Sequence, residues 1–143
     1  MDLPISTIPI QQSKGYVMRM HESRVSIADG SSELRLSGTL SEWLFSSNFW
    51  SNFNAKNGTT FDQFEEDEVD VSIVSEVIEA LEVRIHELQR NGNCNIEFVY
   101  RWTAEKQPLT IKVLAETLIL ELESFRGFLG AALNKNIGVI FSL

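Results

Sequence analysis

Six carboxylates fall within nine positions of this chain, at Asp62, Glu65, Glu66, Asp67, Glu68 and Asp70, with Phe61 and Phe64 set among them. Acids at this density can hold a divalent cation, divide into a proton donor and a proton acceptor, or meet lysines and arginines of another protein. An EF-hand calcium loop needs Asp or Asn at alternate positions, then a glycine for its sharp turn and a glutamate at position twelve. Here Asp62 is followed by Phe64 and Glu66, and no glycine occurs between Gly58 and Gly92. A looser divalent site would have to draw on Glu65, Asp67 and Asp70. Acid–base catalysis needs two carboxyls in contrasting surroundings, and a crowd of six offers no such asymmetry. The third chemistry fits best. Concentrated like charge repels itself but steers and orients a positive partner, and phenylalanines among the acids can fill pockets on that partner.

The run belongs to a longer stretch. Residues 57–83 contain no Lys or Arg and nine acids, which adds Glu76, Glu79 and Glu82 to the six. The whole chain of 143 residues has 12 Lys+Arg and 20 Asp+Glu, for a net charge of −8. Outside the stretch it is therefore nearly neutral, so the charge is a local feature. This balance disfavours direct binding to nucleic acid or to an anionic membrane, since both demand a basic footprint.

Other reactive side chains form no motif. The histidines are His21 and His86 and the only thiol is Cys94; neither HExxH nor paired CxxC spacing for zinc is present. No serine sits in a Gly-x-Ser-x-Gly elbow. A Cys94–His86 pair can be drawn, but a lone cysteine is usually inert. The stretch Gly127-Phe128-Leu129-Gly130 lacks the further glycine and lysine of a phosphate loop, and its small residues are expected to permit close helix packing. Trp43, Trp50 and Trp102 are expected in the core or at its edge. The chain is thus expected to have no catalytic residues, no resident metal and no cofactor, and not to be an enzyme.

These groups must be positioned by ordinary elements. A chain of this length reads as a single domain, 1–143, able to bury roughly 68–70% of its unfolded surface without a disulfide or metal. One cysteine, an acid and proline at the N-terminus and no long apolar run point to a soluble, cytoplasmic protein. Residues 16–20 and 24–28 alternate as strands, and Asp29-Gly30 supplies the turn of a hairpin over 24–37. Thr39-Leu40-Ser41-Glu42 matches a capping box and opens a helix to about Phe53. Val71, Val74, Ile78, Leu81, Ile85 and Leu88 form one helical seam that stops at Asn91-Gly92. Residues 96–102 and 109–113 alternate as two hairpin strands. Residues 114–123 fit both helix and strand; the period-two pattern of Leu118, Leu120 and Leu122 favours a strand, with a short helix beginning at Ser124. Residues 137–141 form a buried last strand. The fold class is α+β: an antiparallel sheet packed with two to three helices.

Together these observations point to a non-catalytic acidic binding protein that neutralises a basic partner. The expected partner-binding residues are Phe61, Asp62, Phe64, Glu65, Glu66, Asp67, Glu68, Asp70, Glu76, Glu79 and Glu82. In size, charge and lack of catalytic motif the chain is similar to bacterial immunity proteins, which block a cognate toxin, often a nuclease. The resemblance is one of class; such proteins share no single fold, and it implies no residue roles. The protein would be a monomer or a homodimer. The alternative is an oligomer-forming structural or accessory subunit, suggested by the apolar seam and an exposed-looking edge on the last strand. A small divalent-metal enzyme is the third class.

Overall fold

In the computed structural model the described residues are 20–92 and 94–143. They form an α+β domain of four helices, a four-stranded antiparallel sheet and a separate two-stranded sheet. The expected strand over 16–20 lies almost wholly outside these residues.

The hairpin over 24–37 forms as read. Strand β1 (Ser23–Ile27) pairs with β2 (Glu33–Leu36) across a turn in which Gly30 takes φ +81°. Helix α1 (Gly38–Ser46) starts two residues earlier than a Thr39 cap requires. Its cap is Ser37, whose hydroxyl accepts from the Leu40 amide at 3.1 Å and donates to Glu121 Oε1 at 2.6 Å. Glu42 is thereby released from capping and sits in the helix interior. The helix expected to continue to Phe53 breaks at Ser47 and Asn48. Asn48 adopts the left-handed conformation, φ +64°, which asparagine tolerates better than most residues. Helix α2 (Phe49–Asn57) then restarts and ends at Gly58.

The centre of the acidic run is a strand, β3 (Glu66–Val69), and Asp70 caps helix α3 (Val71–Arg90). The α3 seam is buried through Val74, Val77, Leu81, Ile85 and Leu88, while Ile78 is only partly covered. Strands β4 (Asn95–Trp102) and β5 (Pro108–Leu114) make the second hairpin. Residues 115–134, expected to begin as a strand, are one helix, α4 (Ala115–Asn134). Its buried positions Leu118, Leu122, Phe125 and Leu129 follow the helical spacing, and Leu120, which made the period-two pattern, is exposed. The last strand, β6 (Val139–Ser142), is not an edge: the order is β2-β1-β6-β3, so β6 lies between β1 and β3. Gly138 precedes it where a Cβ would collide with the Val69 carbonyl oxygen.

The sheet has one face on the core. Val25, Ile27, Leu36, Val139 and Phe141 are buried there with Trp50, Phe61 and Phe125. Its other face carries cross-strand rows Arg35–Arg24–Ser142–Glu66 and Glu33–Ser26–Ile140–Glu68. The second hairpin contributes Ile96, Phe98 and Val113 to the core margin. An irregularity at Tyr100 shifts its register: Phe98 pairs with Ile111, but Arg101 pairs with Leu109. A β-bulge of this kind re-aims the residues beyond it. Arg101 therefore shares the inner face with Phe98, and Trp102, expected in the core or at its edge, is turned outward and 62% exposed.

Candidate functional site

Strand β3 is an edge strand. One side bonds to β6, in the register Glu66↔Ser142, Asp67↔Phe141, Glu68↔Ile140, Val69↔Val139, and the Leu143 amide extends the pairing to the Glu65 carbonyl at 2.9 Å. The two-residue period sends Glu66 and Glu68 to the solvent face and Asp67 and Val69 to the core side. Asp67 thus lies across from buried Phe141, and its Oδ2 has no hydrogen-bond partner. Acids are poor strand formers; pairing with β6 and the anchor at Val69 impose the strand here.

The structure divides the expected partner-binding residues. Asp62, Glu65, Glu66 and Glu68 are exposed, and among the described residues none of them is paired with a Lys or Arg. Glu66 accepts from the Ser142 hydroxyl at 3.3 Å. Asp70 is exposed but engaged, accepting from the Ser72 hydroxyl and from the Ser72 and Ile73 amides. Those bonds, the Ser72 hydroxyl foremost, hold its carboxyl below the usual aspartate value. Glu76 and Glu79 line a groove of about 260 Å³ between α2 and α3. Glu82 faces the other way, 3.5 Å from Arg126 of α4. The acids of α3 therefore do not extend one continuous patch from β3.

The two phenylalanines separate completely. Phe61, expected to touch a partner, is 4% exposed and lies in the aromatic core against Trp50, Phe53 and Phe141. Asn54 of α2 holds it there, its amide donating to the Phe61 carbonyl at 2.8 Å and its oxygen accepting from the Phe61 amide at 3.0 Å. Three residues on, Phe64 is 67% exposed, with φ +64°. That conformation is uncommon for a bulky side chain. Its ring rests on the imidazole of His21, centroids 4.7 Å apart.

Beside Phe64 lies the most heavily bonded ion pair of the described residues. Glu42, 3% exposed, receives Arg101 Nη1 on Oε1 at 2.8 Å and Nη2 on Oε2 at 2.7 Å. The Gln63 side-chain amide and the His21 backbone amide complete its coordination. Burial raises the pKa of neighbouring Tyr100, with Arg101 opposing and Glu42 reinforcing. Nothing in the sequence joins Glu42 to Arg101, 59 positions apart; only the bulge at Tyr100 brings them together. On α3, Arg84 stacks over Trp43 and Phe49, each 5.4 Å from its guanidinium carbon, and donates to the Ser47 hydroxyl.

No family model matches the chain, and no curated protein or solved structure does. Its chemistry has to be read from its own surface. Cys94 is exposed, with its thiol directed at the Asn91 carbonyl, and His86 is exposed on α3. Among the described residues no three acids, histidines or cysteines converge to hold a metal, and no helix is long and apolar enough to cross a membrane. Two clefts flank Phe64. One, of about 820 Å³ and wide open, includes Met20, Thr39 and Arg101. The other, of about 270 Å³, includes Glu22, Glu65 and Glu66.

Proposed function

We propose that this protein is a non-catalytic binding protein that neutralises a basic partner through the outer side of β3 and the Phe64 turn. One observation carries the reading. Asp62, Glu65, Glu66 and Glu68 are solvent-facing and unpaired with any base among the described residues, while other acids are used inside the fold. Glu42 binds Arg101, Glu82 meets Arg126 and Glu121 holds Ser37. Carboxylates that meet no cation inside the fold, clustered on one edge, cost stability by repulsion and are neutralised only when a cation arrives. The partner class we favour is a cytoplasmic toxin such as a nuclease, whose phosphate-binding lysines and arginines would accept carboxylates in place of substrate. Phe64 supplies the desolvated contact.

A second reading follows from the position of β3. Charged residues on an edge strand discourage pairing with another chain's edge, so the acids would then serve solubility alone. An oligomeric accessory subunit has lost its two supports, because the α3 seam is buried and β6 is internal. The deciding experiment is retention of partners from the native host at low salt, followed by elution with rising salt. A basic, toxin-like protein that no longer binds when Glu65, Glu66, Asp67 and Glu68 are replaced by Ser supports inhibition. Retention untouched by that replacement rejects it. Self-association of the replaced protein, with no basic partner retained, would favour the edge-protecting role.

A further inference from the structure

We infer that the smaller cleft beside Phe64 is a receptor for a single arginine side chain of the partner. This rests on the reading of the acidic edge as a partner surface and says what that surface grips. The cleft has an aromatic corner, the Phe64 and His21 rings tilted at 57°, and a rim of Glu22, Glu65 and Glu66. Arg24 is the one base among its lining residues, so the charge inside is negative. A phenyl face attracts a cation through its quadrupole, and carboxylates beside it can take the planar guanidinium edge-on. Exposed phenylalanine alone would be an ordinary apolar spot; ringed by carboxylates it becomes selective for a cation with a flat, weakly hydrated head.

Size and charge choose between the two clefts that share Phe64. The larger, about 820 Å³, has Glu22 and Arg101 in its lining, so it is balanced in charge and too wide to grip one guanidinium. The smaller, about 270 Å³, has room for one long side chain and adds Glu65 and Glu66 to the shared Glu22, none of them paired with a Lys or Arg among the described residues. Glu65 is fixed in place through its backbone, since its carbonyl accepts from the Leu143 amide. The Phe64 ring is held by the turn and by His21. A preformed corner of this kind loses little entropy on binding.

The test uses the full chain and three probes, the Nα-acetyl N-methylamides of arginine, lysine and norleucine, titrated while the ring protons of Phe64 and His21 are followed by NMR. Arginine is expected to shift both rings saturably, lysine more weakly, and norleucine hardly at all. Phe64→Leu, which keeps an apolar side chain but removes the ring, is expected to weaken arginine binding by about twofold to thirtyfold. Glu65→Gln with Glu66→Gln should weaken it on the same order. Equal responses to arginine and norleucine, no response at either ring, or full affinity in Phe64→Leu would overturn the inference. A ten-residue arginine peptide separates it from the broader reading. If the peptide binds Phe64→Leu normally but fails when Glu65, Glu66, Asp67 and Glu68 are Ser, the cleft is rejected and the acidic edge stands. If the single-residue probe behaves as expected but the peptide ignores replacement of Asp62 and Glu68 by Ser, which leaves the cleft's own carboxylates in place, the cleft stands and the acidic edge as a whole does not.

Discussion

Phe61 and Phe64 show how little a residue type says without its environment. They lie three positions apart in one acidic run, yet the first is sealed among rings and the second stands in solvent. Phe61→Ala is expected to cost about 3–5 kcal/mol, the usual range for emptying an aromatic core site. Phe64→Ala should change stability by less than about 0.5 kcal/mol, and urea denaturation of the two variants checks both. Glu42 makes the same point with charge. Removing one partner of a buried pair strands the other, at about 3–5 kcal/mol; here the lower end applies, because Arg101 is partly exposed. Glu42→Leu alone should therefore lose about 3 kcal/mol in urea denaturation, and Glu42→Leu with Arg101→Met should recover most of it. A double variant no better than the single one would mean that the pair stabilises by more than mutual neutralisation. Neither Phe61's burial nor the Glu42–Arg101 pair was legible in the chain. The apolar neighbours of Glu42 do announce a buried stretch, but a helix-start motif gave its carboxylate another use.

Elements were readable where one physical signal dominated. The hairpin over 24–37 has its Asp-Gly turn, α3 has an uninterrupted seam, and β4, β5 and β6 alternate or run apolar. They failed where two signals competed. In α4 the spacing of Leu118, Leu120 and Leu122 satisfies both periods, and burial of Leu118, Leu122, Phe125 and Leu129 shows that the longer helical repeat prevails. In β3 the composition opposes a strand, and only β6, 70 or more positions away, supplies the hydrogen bonds. The break between α1 and α2 has no glycine or proline to mark it. Two predictions belong to this scale. Gly127 lies in mid-helix, and a Cβ there meets nothing within 4 Å, so the expected close packing is absent. Gly127→Ala should stabilise by about 0.5–1 kcal/mol, read as a raised thermal midpoint. Asp70 caps α3 with a carboxyl whose folded pKa is depressed. Its contribution is complete above the ordinary aspartate pKa and is lost as pH falls through the folded value. Asp70→Ala should hasten amide exchange at Ser72 and Ile73 near neutral pH, and its stability deficit should shrink in acid below that range.

Across the whole molecule the charge acts on two equilibria with opposite sign. Glu66 and Glu68 project from one face of β3, about 7 Å apart along the strand, well inside the Debye length of about 10 Å at 0.1 M salt. Asp62 and Glu65 lie nearby, no base is paired to any of them among the described residues, and folding adds the sequence-distant Glu22 to the same cleft as Glu65 and Glu66. Salt should then stabilise the fold, because it screens repulsion created by folding, and should weaken association with a basic partner, because it screens attraction. The double variant Glu66→Ser, Glu68→Ser removes a share of both. Its thermal midpoint is expected to exceed the parent's at about 10 mM salt and to converge on it near 0.5 M. Its association with a basic partner or an arginine peptide should be slower at low salt and less sensitive to salt. If the variant is instead less stable at every salt concentration, these carboxylates support the fold, and the argument that they are free for a partner fails. If stability rises and association is unchanged, the edge carries its charge to keep other strands away, and binding must reside elsewhere on the surface.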